Sequence, residues 1–136
     1  MRKLTSIILF LVLVSNSFGQ SKNSPLQISH LTGDFYVYKT FHDYKGTLIS
    51  ANSMYLVTDK GVVLFDAPWD ETQFQPLLDS IKAKHHKDVV VHIATHSHED
   101  RAGGLGFYGQ KGIKTYTIKL TDQILEKEGK KRADFI

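Results

Sequence analysis

The chain has 136 residues, with 17 Lys and Arg, 14 Asp and Glu, 7 His and no cysteine, for a formal net charge of +3. Arg2 and Lys3 precede every acid, so fifteen bases and fourteen acids remain after them, a net charge of +1. That balance leaves no case for the clustered basic face of a nucleic-acid or membrane-surface binder. Without disulfides, a domain this small depends on its core or on a metal for stability.

In chain order, MRKLTSIILFLVLVSNSFG opens with two bases, runs apolar from Ile7 to Val14 and ends in small residues at Ser17 and Gly19. This is the layout of a secretory signal peptide, and its apolar run is too short for a permanent span. The expectation is a signal peptide over residues 1–19, export to the periplasm, and a domain over residues 20–136. SKNSP, Ser21 to Pro25, reads as a flexible start.

Three β-rich runs follow: FYVYKTF from Phe35, NSMYLVT from Asn52 and GVVLFD from Gly61. Val, Tyr and Phe favour pleated strands, and TDKG at Thr58 to Gly61 is a hairpin turn signal, so an antiparallel meander is expected. The period then changes. Phe74, Leu77, Leu78 and Ile81 form the stripe of an amphipathic helix, with Asp70 placed to cap it and Pro76 delaying or kinking its start.

DVVVHIAT is apolar on both faces, as in a strand inside a layered sheet. AGGLGFYGQKG reads as a short, glycine-loosened helix, IKTYTI as a strand, and LTDQILEKEGKK as a helix capped by Thr121. Strands alternating with helices after a meander predict a mixed α/β protein with a helix-covered sheet. RADFI, at the end, carries no signal of its own.

The chemistry concentrates where the buried run stops. His96, His98 and Asp100 follow at two-residue intervals in ATHSHEDRAGG. Continued strand geometry would put them on one face and a tight loop could also converge them. In either case two imidazoles and a carboxylate come within reach of one site, a donor set that suits zinc. Glu99 alternates out of the set toward solvent. His85 and His86, at the polar end of a helix, are expected exposed, and His30, His42 and His92 are isolated.

The segment ATHSHEDRAGG resembles the His-x-His-x-Asp metal motif of the metallo-β-lactamase superfamily. The YVY strand, a flexible loop at FHDYKGTLIS, the ANSMYLVTDKGVVLFDAPW hairpin and KTYTIKLTDQILEKEGKKRA are similar to the class B, broad-spectrum dizinc enzymes. Superfamily thioesterases usually carry histidine directly after the motif aspartate. Arg101 stands there instead, which favours the lactamases and leaves a cation to support the metal loop or face substrate.

The resemblance implies the first αβ half of a four-layer αββα sandwich. It implies that His96 and His98 bind one zinc ion, that Asp100 binds a second and orients the attacking water, and that the reaction opens the β-lactam amide. Asp66 would support the metal loop from behind, or be a strand-end acid bonding turn amides; Trp69, Tyr44 and Gly46 match the walls over which substrates lie. A monomer with a β-lactam as its small-molecule substrate is implied. The family completes its two sites with two further histidines and a cysteine, but no histidine follows His98 and there is no cysteine. The expectation is therefore the N-terminal half of a full enzyme, with an inactive truncated product as the alternative.

Overall fold

A computed structural model describes residues 26–136; the signal-peptide expectation and the SKNSP start lie outside the described residues. Six strands form one sheet in the order β1-β2-β3-β4-β5-β6: β1 Gln27–Thr32, β2 Phe35–Tyr44, β3 Thr47–Thr58, β4 Gly61–Phe65, β5 Val89–Ala94 and β6 Lys114–Thr117. The first four are antiparallel, as the meander predicts, while β4–β5 and β5–β6 are parallel. Each parallel pair needs a crossover. Helix α1, Phe74–His85, supplies one, and α2, Glu99–Ala102, with α3, Leu105–Gln110, supplies the other; α4 is Lys119–Lys127.

The helix-facing side holds the core. Tyr36, Tyr55, Leu64, His92 and Thr115 lie side by side across β2 to β6, and Tyr55, Leu64, His92 and Thr115 are fully buried. Against them pack Phe74, Leu77 and Ile81 of α1 and Tyr108 of α3, three of them being residues of the predicted stripe. Side chains alternate along strands, so the neighbouring row faces the other way. That row, Val37, Met54, Phe65, Ile93 and Tyr116, is half-buried and joins neither buried cluster.

Several expectations change in detail. β1 had no clear sequence pattern and exists because β2 offers it an edge. The FHDYKGTLIS segment is a paired arm of β2 and β3, not a loop: pairing runs from Phe41 with Ser50 to Tyr44 with Thr47. It closes in a two-residue turn with Lys45 at φ 52° and Gly46 at φ 81°, the left-handed pair that tight hairpins require. Pro76 neither delays nor kinks α1: it is the third helical residue, where its missing N–H has no partner to lose. Asp70 caps the 3-10 turn Glu71–Gln73 ahead of α1, accepting from Thr72 N at 2.9 Å. Thr121 does not cap α4, which starts at Lys119 and buries that threonine.

RADFI also acquires structure. Phe135 bridges Tyr116 in parallel, and Asp134 accepts from the Thr115 hydroxyl at 2.8 Å, so residues 134 and 135 extend the sheet beyond β6.

Candidate metal centre

The site begins at the end of β4. Asp66 is a non-glycine residue at φ 60°, a conformation that aspartate tolerates better than most, and its backbone N–H donates to Ile93 O at 2.8 Å across to β5. The turn points its carboxylate at the residue just past β5. Asp66 Oδ1 accepts from Thr95 N at 2.9 Å and from Thr95 Oγ1 at 2.7 Å. Beneath it, the Tyr38 hydroxyl is 3.0 Å from both Phe65 O and Asp66 O, and burial pushes that phenol well above its ordinary pKa.

This arrangement determines which proton His96 carries. Thr95 has one hydroxyl proton and gives it to Asp66, so toward His96 Nδ1, 3.2 Å away, it can only accept. In the neutral ring His96 Nδ1 therefore carries the N–H and Nε2 the lone pair. The His98 ring lies edge-on to His96, with centroids 4.7 Å apart, and both imidazoles are exposed.

Of the two geometries left open by the sequence, the loop past the strand is found for the two histidines, with the acid on the helical turn after it. The strand ends at Ala94, His96 sits in a bend, His98 is the residue before α2, and Asp100 is on that single helical turn. Arg101 faces inward. It donates to Ser53 Oγ at 2.7 Å and to Asn52 O at 3.2 Å on β3, and lies 3.6 Å from Asp66 and 3.3 Å from Asp100. It ties the loop that carries His96 and His98 to the sheet, in the supporting one of its two expected roles. Glu99 is exposed as expected, but its Oε2 accepts from Trp69 Nε1 at 3.3 Å.

Trp69 in turn carries the arm. His42 stacks on it with centroids 4.4 Å apart and Tyr44 follows at 6.0 Å, while Gly46 is at the arm's tip. A cleft of about 480 Å³ lies beside this stack, lined by Trp69, Ser97, His98, Glu99, Asp100, Glu128 and Lys130.

The other histidines separate by environment. His86 ends α1 in the left-handed conformation and is exposed. His85 is not exposed as expected: it packs edge-on to Tyr36 and Tyr55, its Nε2 is 2.9 Å from the Tyr55 hydroxyl, and burial, helped by Lys84 and Lys87, lowers its pKa. His92 is fully buried against Tyr108 with no well-formed hydrogen bond at either ring nitrogen, and burial lowers its pKa to about 4 against a weaker opposing pull from the backbone of Asp66 and Arg101.

Sequence reasoning passed over Thr95 and Gln73. A hydroxyl directly before a motif histidine was the available signal for Thr95. Gln73 is buried and clasps Phe41 through both backbone groups, contacts that no local pattern announces.

In kind, these donors suit zinc: two imidazoles, one already in the ligating tautomer, and a nearby carboxylate. In number they do not, since among the described residues no group of three or more His, Cys, Asp or Glu converges on a metal position.

The model of the metallo-beta-lactamase superfamily matches residues 46–133. The chain belongs to that superfamily. It is 48% identical over 120 residues to the type 2 metallo-beta-lactamase of Elizabethkingia meningoseptica, covering 88% of this chain and 48% of that protein. To metallo-beta-lactamase IND-1 of Chryseobacterium indologenes it is 54% identical over 100 residues, 74% of this chain and 42% of that one. The crystal structure of metallo-beta-lactamase IND-7 superposes with a TM-score of 0.79 at 49% identity, over 86% of this chain and 53% of that one. The chain thus spans about half the length of the curated relatives it matches. Its helix-covered sheet corresponds to the N-terminal half of the metallo-beta-lactamase fold.

Proposed function

We propose that the chain carries part of the active site of a zinc-dependent β-lactam hydrolase, with His96 and His98 ligating one zinc ion and Asp100 a second. The observation that carries this reading is the exposed imidazole pair at the end of β5, His96 holding its proton on Nδ1 and leaving Nε2 free. The names of the relatives support β-lactams as the substrate class, within which the reading takes penicillins, cephalosporins and carbapenems.

When bound, zinc supplies Lewis acidity and lowers the pKa of a bound water to roughly 7. Asp100 orients the attacking water. Asp66 and Arg101 hold the loop that presents the ligands, and Trp69, Tyr44 and Gly46 offer the wall along which a substrate lies. The reading requires three further ligands, two imidazoles and a thiolate, from a longer protein. It also takes residues 1–19 as an export signal to the periplasm, on the strength of their basic start and short apolar run, and the working form as a monomer.

For the isolated chain, the lack of a three-donor group among the described residues favours a second reading, a polypeptide without hydrolytic activity. Sequencing the source DNA past codon 136 separates the two, because the enzyme reading needs downstream histidines and a cysteine and a stop codon overturns it for this product. In the complete protein, carbapenem hydrolysis is expected to vanish on chelation and in His96→Ala. Activity that survives either treatment refutes the zinc role.

A further inference from the structure

The outer end of the β2–β3 arm has no core of its own: Tyr44, Leu48 and Ile49 are exposed, and the pair is two strands wide there. Isolated two-stranded ribbons are marginal in water, so something outside the ladder must seat it. Gln73 fixes the root by clasping Phe41, and the next residue, His42, stacks on Trp69 at 4.4 Å and 20° between planes. Trp69 is itself held through its indole N–H by Glu99, between His98 and Asp100.

We propose that His42 is a positioning residue: by stacking on Trp69 it seats the β2–β3 arm against the loop that carries His96 and His98. His42 Nδ1 is buried and has no hydrogen-bond partner, so the imidazole acts through its face and not through that nitrogen. Tyr44, two residues on and therefore on the same face of the strand, extends the stack. An aromatic pair of this kind favours the seated arm by roughly two- to tenfold over an unstacked one. A phenyl ring at position 42 should serve as well as the imidazole, and a polar side chain without a ring should not. The contact sets the position of the substrate wall relative to the metal loop, a consequence that rests on the function proposed above; the contact itself does not.

The test uses the chain's lack of cysteine and its single tryptophan, Trp69. Spin labels at Lys45→Cys and Lys127→Cys report the arm against α4, and a second pair at Lys82→Cys and Lys127→Cys reports the helix layer alone. All measurements are made without zinc, together with acrylamide quenching of Trp69 emission. The parent chain and His42→Phe should give one narrow arm distance and a shielded tryptophan. His42→Ala and His42→Asn should broaden the arm distance and expose the tryptophan while the helix-layer distance stays narrow. The proposal is overturned by a broad arm distance in the parent, by unchanged readings in His42→Ala, or by His42→Phe behaving like His42→Ala. Loss of the helix-layer distance in both ring-deleted variants also overturns it, because His42 would then hold the fold and not the arm. Chelation of the complete protein is a separate measurement: carbapenem hydrolysis that survives it would defeat the metal reading and leave the arm result standing.

Discussion

The Asp66 carboxylate holds Thr95 twice through one oxygen, at 2.9 Å from the backbone nitrogen and 2.7 Å from the hydroxyl. Because that hydroxyl then accepts from His96, the aspartate sets the tautomer of an imidazole it does not touch. Partners that orient a ligand in this way are typically worth about 10–100-fold in metal affinity. Asp66→Ala and Thr95→Val should each weaken zinc binding by about that factor in a complete protein, with Thr95→Ser near the parent, measured by competition against a chromophoric chelator. Equal affinity for Thr95→Val and the parent would sink the tautomer argument.

Gly104 makes the passage from α2 to α3 possible. A Cβ there would stand 2.4 Å from Tyr108 Cε2 and 2.9 Å from Ala67 Cβ, and both neighbours are buried. Gly104→Ala should therefore cost about 1–3 kcal/mol through overpacking, seen as a lower urea midpoint with unchanged slope. The exposed turn residue Gly112 meets nothing within 4 Å, but its φ of 77° makes Gly112→Ala a control for backbone strain without crowding.

His92 makes stability depend on pH. Its folded pKa of about 4 lies below the ordinary histidine value, so between the two the unfolded chain binds a proton that the folded chain refuses. Stability is fully present above about pH 6.5 and falls as pH drops toward 4, by about 3 kcal/mol over that window. His92→Leu should flatten this part of the curve. It should also raise stability at pH 7, since it removes a buried imidazole whose nitrogens make no well-formed hydrogen bond. Denaturant melts at pH 7.5, 6 and 5 check both, and an equal acid slope in parent and variant would count against the assignment.

The sheet face carrying Val37, Met54, Phe65, Ile93 and Tyr116 is a half-exposed apolar strip five strands wide. Patches of this sort mark association surfaces. Residues 26–136 alone should bind anilinonaphthalene sulfonate and self-associate, and Ile93→Lys should reduce both with little loss of melting temperature. A monomer that binds no dye would contradict this.

Legibility in the sequence followed the range of the interactions. The meander, the α1 stripe, β5 and the His96–Asp100 constellation were readable because each has a local period or a dense run of ligating residues. β1 was not, since most of its residues are exposed and its partner, β2, does more to define it than its own pattern. The arm at His42 to Ile49 reads as a loop because polar residues break its alternation, and the contacts that support it come from Trp69 and Gln73, far along the chain. His85 was misjudged for the same reason: sequence shows a lysine-rich helix end, while β2 and β3 bring two tyrosine rings across to it. Arg101 was legible as a cation but not in its direction, which depends on Ser53 and Asn52, nearly fifty residues earlier.

The strand order carries one more consequence. Among the described residues every strand pairs with its neighbour in sequence, from β1 through β6, and no pairing there waits for a distant segment. A chain of this topology can lay down its sheet in the order in which its residues become available, each strand finding the previous one already in place. Its loop-closure costs are those of short hairpins and single crossovers, and refolding after dilution from denaturant should be limited by side-chain packing rather than by a search for partners.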